Sequence, residues 1–384
     1  LRGYFVASYA VGGVYLPFFP RWLEGRGIFG LRLGVICAAA PAMGLFAPAA
    51  FGVVADYLAI RVGILQMASA GALAAFGTLA VMTALHAPLH FHVIFLVALA
   101  FALFRSPMLL MADVVAIERA PKLGTTYGRI RLWGSLGFLG AALLGSLWVD
   151  PRASLPLPVA CSAALAAGFA TSLALPRRAE MPRRGDRRGI VRLLAEEDFR
   201  LLLIAAFLGQ CGHVAYDMCF TLHLLDLGVP RLLVGFAWAI GTGAEAILMG
   251  WSAPAFRSFR APRLLAIALA GAATRWVLLS FVQSSTTLLL LQPLHALSFG
   301  LVWLSAVSYT SQRFSSHSLA TAQGLLVTAV GAGSIVGMLL WGSLYARAGG
   351  TGVFAGAACF AVVASAFAIA LDRKVRWDGE LTPR

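Results

Sequence analysis

Arg177-Arg-Ala-Glu-Met-Pro-Arg-Arg-Gly-Asp-Arg-Arg-Gly-Ile-Val-Arg-Leu-Leu-Ala-Glu-Glu-Asp198 is the one long polar stretch in a chain of 384 residues. On either side of it, apolar runs follow one another with little between them but Gly, Pro and Arg. At about 20 apolar residues per membrane crossing, each flank holds six helices. They are expected near 2–23, 31–56, 62–85, 91–117, 126–149 and 156–175, then 200–225, 231–256, 263–282, 286–312, 319–346 and 350–371. The reading is an all-α membrane protein with twelve transmembrane helices in two six-helix bundles. Residues 1–176 form the first bundle and 200–371 the second, with 177–199 as a basic linker and 372–384 as a tail.

Composition agrees. The chain is 60% apolar and 12% charged, with a mean hydropathy of +0.84. Soluble domains carry about 25% charged residues, so this chain has too little polar surface to wrap a core in water. Disorder, a secreted disulfide scaffold and an ordinary soluble enzyme are excluded. Cys37, Cys161, Cys211, Cys219 and Cys359 lie scattered in apolar segments and read as small apolar packers, without metal-ligand spacing. The first apolar run, Tyr4 to Leu23, has no small-residue cleavage site and carries Pro17 and Pro20 at its exit. It reads as the first helix and not as a signal peptide.

The net charge of +14 is a topology signal. With the twelve spans above, 22 Lys and Arg fall on the side of the termini and central linker and six on the other, while Arg105 and Arg275 lie inside spans. Positive loops stay cytoplasmic, so both termini are expected inside. No aromatic-studded basic face is present for bases to stack on, so nucleic acid is not a partner. Arginine outnumbers lysine by 28 to two, a composition that fits a bacterial inner membrane protein. Two six-helix halves joined by a cytoplasmic loop is the layout of a transporter with a midplane site.

An ionisable group deep in a bilayer marks a functional site by default. Eight lie more than a turn inside the spans: Arg105, Asp113, Arg131, His213, Asp217, Glu245, Arg275 and His295. From the rise per residue, Asp113 and Arg131 each sit about 9 Å from the inner end of their helix, so the two can meet. Arg131, Ser135 and Phe138 share one helical face, Gln210, His213, Asp217 and Phe220 another, and Trp238, Gly241 and Glu245 a third. Each strip interleaves charge, hydroxyl or amide with aromatic rings, as a polar cavity for a small solute requires. A carboxylate in low dielectric holds a proton more readily than in water, and a nearby guanidinium opposes this. Glu245, Asp113 and Asp217 are the carboxylates suited to proton coupling, with Arg275 as modulator and His213 or His295 as relay.

Several runs carry a family likeness. They are Gly13-Val-Tyr-Leu-Pro-Phe-Phe-Pro-Arg-Trp-Leu23, Phe51-Gly-Val-Val-Ala-Asp56 through Arg61, Tyr127-Gly-Arg-Ile-Arg131-Leu-Trp-Gly-Ser-Leu-Gly-Phe138, Gly212-His-Val-Ala-Tyr216, Ala244-Glu245, Arg275-Trp276 and Leu294-His295. Through these the chain resembles the major facilitator superfamily, in the branch of the lactose permease and the phenylpropionate permease-like proteins. The resemblance implies that Asp113 and Arg131 bind solute, that Phe138 stacks where that branch has a tryptophan, and that Arg275, His295 and Glu245 take part in proton coupling. It implies a gating role for Asp56 and Arg61, although Tyr57 stands where a base is usual. One turn after His295, where the permease has its proton-carrying glutamate, this chain has Ser298, and helix 11 lacks a lysine to pair with Asp217. The coupling carboxylate is therefore expected to be Glu245 or Asp217.

The function expected is proton-coupled symport of a small organic solute (a glycoside, nucleoside or aromatic acid) by alternating access. Arg131, Asp113, Ser135, Phe138, Gln210, His213, Asp217 and His295 would contact solute. No cofactor is expected, the proton gradient being the energy source, and the protein is expected to work as a monomer in the lipid bilayer. The alternatives are a proton-driven exporter of amphipathic compounds and a non-transporting sensor or lipid-handling protein.

Overall fold

The computed structural model describes residues 1–58, 60–125, 127–150, 153–175, 190–314 and 316–381. Among these, ten segments are helical, long and apolar enough to cross a membrane. One of them, Thr321–Arg376, is two spans: Gly349, at φ 60° and ψ −167°, breaks the helix. With that break and the first helix, the order is α1 Arg2–Glu24, α2 Gly30–Leu58, α3 Arg61–Ala84, α4 Phe91–Arg119, α5 Tyr127–Trp148 and α6 Pro156–Leu173. The second half has α7 Glu197–Asp226, α8 Arg231–Trp251, α9 Ala261–Phe281, α10 Ser285–Arg313, then α11 and α12 at 316–348 and 350–381. In hydrocarbon every backbone N–H and C=O must be satisfied within its own segment, which is why apolar runs of this length become helices. Helix α12 runs on past its expected end, and there Asp372 accepts from Arg376 Nη2 at 2.6 Å, an i,i+4 pair. Most of the expected linker, residues 176–189, lies outside the described residues.

The helices divide into two compact units, one of residues 1–184 with 224–239 and one of 185–223 with 240–384. The first unit has an aromatic core in which Tyr15, Phe19, Phe76 and Phe101 pack with ring centroids 4.4 to 6.4 Å apart. Trp22 donates to the Ser154 carbonyl at 2.9 Å and carries the Arg26 guanidinium 3.5 Å above its ring. Burial in the turn after α1 pushes Arg26 down to about 10. Also in this unit, Arg21 joins Glu24 at 2.6 Å and Asp226 at 3.1 Å, and Arg231 faces Asp150 at 3.6 Å. In the second unit, Phe199, Leu202, Leu265, Leu326 and Leu371 form the core. Tyr309 and Arg313 there both donate to Asp198 Oδ2, at 2.7 and 2.6 Å.

Small residues set how closely helices cross. A Cβ on Gly13 would lie 2.3 Å from the Phe138 carbonyl oxygen, and one on Gly137 would lie 2.2 Å from that of Val6. Helices α1 and α5 thus touch backbone to backbone. Gly333 and Gly337 do the same for α11 against α7, where a Cβ would fall 2.3 Å from the Phe207 oxygen and 2.6 Å from the Cys211 oxygen. Overpacking such a contact costs about 1–3 kcal/mol. Gly137→Ala is therefore expected to lower the melting temperature in detergent by several degrees. Gly77→Ala, whose Cβ meets nothing within 4 Å, is expected to leave it unchanged.

Candidate functional site

Each unit holds its own polar cluster. In the first, Asp113 on α4 accepts a hydrogen bond from the Tyr127 hydroxyl at 3.0 Å. Arg131, one turn into α5, lies with its guanidinium 4.0 Å above the ring of Tyr9 on α1. Asp113 and Arg131 feel each other's charge without forming a direct ion pair, because the tyrosines take their places. Tyr9 sits where it does because Gly134 is bare: a Cβ there would come within 2.7 Å of the ring. Ser135 is half-buried one turn beyond Arg131. Phe138, a further turn along, lies against Gly12 and tilts at 52° toward Trp238 with centroids 6.4 Å apart. Asp56 lies on α2 with its side chain outside those described, and Arg61 is half-buried at the start of α3.

The second cluster is built on Arg275 of α9, whose side chain is 0% exposed. Its Nη1 donates to Ser298 Oγ at 2.8 Å and to His295 Nδ1 at 3.2 Å, and its Nη2 to Gln292 Oε1 at 3.0 Å. Its guanidinium lies 4.3 Å from the Tyr216 ring and 4.8 Å from that of Trp276. The Tyr216 hydroxyl also donates to Gln292 Oε1, at 3.2 Å. A guanidinium only donates, so His295 Nδ1 accepts and the ring proton sits on Nε2. That nitrogen faces Glu245 Oε2 at 3.5 Å. On α7, His213 Nε2 lies 3.6 Å from Asp217 Oδ1, and the His213 ring stacks on Phe299 at 4.9 Å. Gln210, His213, Ser298, Phe299 and Trp303 line a small cavity.

The backbone of α10 makes this possible. Pro293 cannot donate to the carbonyl four residues back, and the expected unbroken helix over 286–312 gives way to a 3-10 turn, Gln292–Leu294, and a π-helical turn, Ala296–Leu301. The Gln292 side chain donates to the Leu288 carbonyl at 2.6 Å, satisfying backbone near the break. Gln292, His295 and Ser298 consequently reach the same guanidinium. Gly241 and Gly300 let α8 and α10 close around the pair: a Cβ on the first would be 3.3 Å from His295 Cβ, and on the second 3.1 Å from Glu245 Cγ.

Sequence reasoning singled out Arg131, Arg275, Glu245 and both histidines but overlooked Tyr9, Tyr127, Gln292, Phe299 and Trp303 as neighbours. Tyr127 and Tyr216 stood inside quoted motifs. Gln292 was signalled by its spacing of three and six from His295 and Ser298.

The sequence profile of the MFS_1 like family matches residues 1–355. The chain belongs to that family. The probable 3-phenylpropionic acid transporter of Escherichia coli K12 is 28% identical over 362 residues, covering 92% of each chain. The maltose permease of Geobacillus stearothermophilus is 31% identical over 338 residues, 86% of this chain and 82% of that one. The crystal structure of the nucleoside transporter NupG superposes with a TM-score of 0.79 at 19% identity, over 96% of this chain and 97% of that one. That likeness is one of fold. This MFS_1 like protein is a multi-pass membrane transporter of small solutes and not an enzyme.

Gln292 Oε1 serves two buried donors at once. Gln292→Leu removes that shared acceptor, at about 1–3 kcal/mol where a buried polar group is left unsatisfied, and is expected to lower the melting temperature in detergent by more than Ser298→Ala does.

Proposed function

We propose that the protein is a proton-coupled symporter of a small organic solute, working by alternating access in a bacterial inner membrane with both termini cytoplasmic. The observation that carries the reading is the chain Arg275–His295–Glu245. His295 is held in one tautomer by the guanidinium, with its Nε2 proton turned to the Glu245 carboxylate. Protonating Nδ1 would set two donors against each other, so the imidazole is a poor site for the coupling proton and Glu245 the better one. When Glu245 is charged it draws on the Nε2 proton and, through the ring, strengthens the hydrogen bond from Arg275. When Glu245 is neutral that hold weakens. Asp217 with His213 offers a second carboxylate in the same unit.

In the first unit, Arg131, Asp113, Ser135 and Phe138 offer a cation, an acceptor, a hydroxyl and a ring to the solute; in the second unit, Gln210, His213, Asp217 and His295 are assigned to solute contact. Asp56 and Arg61, at the inner ends of α2 and α3, are assigned to gating. The relatives' names, an aromatic acid transporter and a sugar permease, fit solutes with a carboxylate or hydroxyl groups on a ring. The protein is taken to act as a monomer.

The test is uptake into proteoliposomes with and without an inward proton gradient. Glu245→Gln is expected to lose gradient-driven accumulation at least tenfold while keeping solute exchange at equal pH on both sides. Full accumulation by Glu245→Gln would remove Glu245 from the coupling role.

A further inference from the structure

Arg26 lies outside both polar clusters and has no part in the transport reading. It stands in the turn between α1 and α2, just past the last residue of α1, Glu24. Its Nη1 donates to the Trp22 carbonyl at 2.6 Å, and its Nη2 is buried with no hydrogen-bond partner among the described residues. Burial alone pushes it down to about 10, with no carboxylate acting on it, so the group stays charged at neutral pH. Arg21 and Arg231, which border a separate cavity of about 350 Å³ in the same unit, differ in this respect. Arg21 has Glu24 and Asp226, and Arg231 has Asp150.

A larger cavity, of about 530 Å³, opens beside Arg26 and is also lined by Thr83, His86, Leu89, Ser154 and Leu155. Its size falls within the range of small-ligand sites. The turn after α1, the turn after α3 and the start of α6 enclose it, so it lies where helices of the first unit end. No carboxylate is among the described residues that line it. The carbonyls that end α3 are taken, since Val81, Met82 and Thr83 accept from the N–H groups of Leu85, Ala87 and His86. His86 is held at φ 54°, the one non-glycine residue with positive φ among the described residues. Such a conformation persists only where the surrounding structure imposes it. The cavity thus presents a cation, an imidazole and hydroxyls, and no anion to answer them.

The level of the cavity points to its occupant. Trp148 ends α5 at the same face and is 68% exposed, the place that tryptophan takes at a lipid–water interface. Leu85, the first residue past α3, is 74% exposed, and Leu155 is 39% exposed. The rim is therefore apolar, and a ligand at this level comes with acyl chains attached. A zwitterionic headgroup would bring an ammonium group that meets no carboxylate. A neutral ligand could take the idle Nη2 donor but would leave the charge of Arg26 unanswered. Basic pockets between transmembrane helices are where anionic headgroups are held.

We infer that this cavity is a binding site for the phosphate of an anionic phospholipid, seated on Arg26 with its chains passing over Leu85 and Leu155. The site goes beyond the transport reading and holds whatever the solute and whichever residue takes the proton.

Three probes decide it, each titrated into the purified protein in a neutral detergent while the melting temperature is followed. They are dihexanoyl phosphatidylglycerol, dihexanoyl phosphatidylcholine and inorganic phosphate, at matched ionic strength. Phosphatidylglycerol is expected to raise the melting temperature at concentrations at least tenfold below those the other two require, and added salt should shrink that advantage. Arg26→Gln is expected to abolish the preference for phosphatidylglycerol over phosphatidylcholine, and Arg26→Lys to keep part of it. Ser154→Asp places a carboxylate in the cavity and leaves the main-chain carbonyl that Trp22 uses. It is expected to lose the preference as well, and it carries the test if Arg26→Gln does not fold. Equal shifts from the two lipids, or none from phosphatidylglycerol, overturn the inference. An equal shift from inorganic phosphate overturns it too, because the chains would then contribute nothing. So does an undiminished preference in Arg26→Gln or, where that variant does not fold, in Ser154→Asp. Lipid held only by the basic stretch 177–199 would give that last result, since neither variant touches it.

Discussion

A guanidinium withdrawn into a lipid-embedded bundle keeps its charge and presents five N–H donors in a fixed plane. Water is not there to accept from them, so the surrounding helices must, and the arrangement of polar groups in this protein follows from how they do. Arg275 is the most engaged, its two terminal nitrogens gripped by Ser298, His295 and Gln292 and its plane near Tyr216 and Trp276, with only Nε lacking a hydrogen-bond partner among the described residues. Arg131 is an intermediate case, its charge resting on the face of Tyr9. Arg105 is the least engaged, its buried Nη1 without a hydrogen-bond partner among the described residues. A bundle that needed cations only as glue would satisfy all three alike.

The backbone is irregular where those demands are greatest. Pro293 and the π turn after His295 abandon regular helix over a short stretch, yet that departure delivers three side chains to one guanidinium. Glycines do the complementary job of removing obstacles. Gly241 and Gly300 bring α8 and α10 together around His295 and Glu245, while Gly13, Gly134 and Gly137 seat α1 on α5 with Tyr9 wedged beside Arg131. Without these approaches the same polar residues would stand too far apart to bond. The cost of irregular backbone in a membrane is tolerated only inside protein, so its position is itself a pointer to the site.

The sequence made the spans legible because membrane thickness fixes helix length, and length can be counted. It also made the polar strips legible, since side chains at intervals of three and four share a face. Depth along a helix followed from rise per residue, and Asp113 and Arg131 do come within range of each other's charge. Partner choice was another matter. Depth says nothing of azimuth or of what a neighbouring helix interposes, so the insertion of Tyr127 against Asp113 and of Tyr9 against Arg131 was hidden. The break at Pro293 was visible as a residue but not as a consequence. Only the packed α9 and α10 reveal that Gln292 and Ser298 turn to Arg275. Arg105 was flagged as a buried charge, and the bond its Nη1 lacks among the described residues is one that no pattern of residues encodes.

The tautomer of His295 gives the second cluster a property that a simple ion pair would lack. If Glu245 touched Arg275 directly, loss of its charge would leave a buried cation facing a neutral acid, and the bundle would have to rearrange at once. With the imidazole between them, Arg275 keeps an acceptor in Nδ1 whether or not Glu245 is charged, together with Ser298 and Gln292. The change of charge is then felt as a change in bond strength along a chain of fixed members, small beside the full cost of stranding a buried guanidinium. Such an arrangement allows a proton to come and go without dismantling the fold that holds it. A carrier that cycled between protonated and deprotonated forms would need both forms folded, and on the proton-coupled reading proposed above a buffered link between carboxylate and guanidinium meets that need.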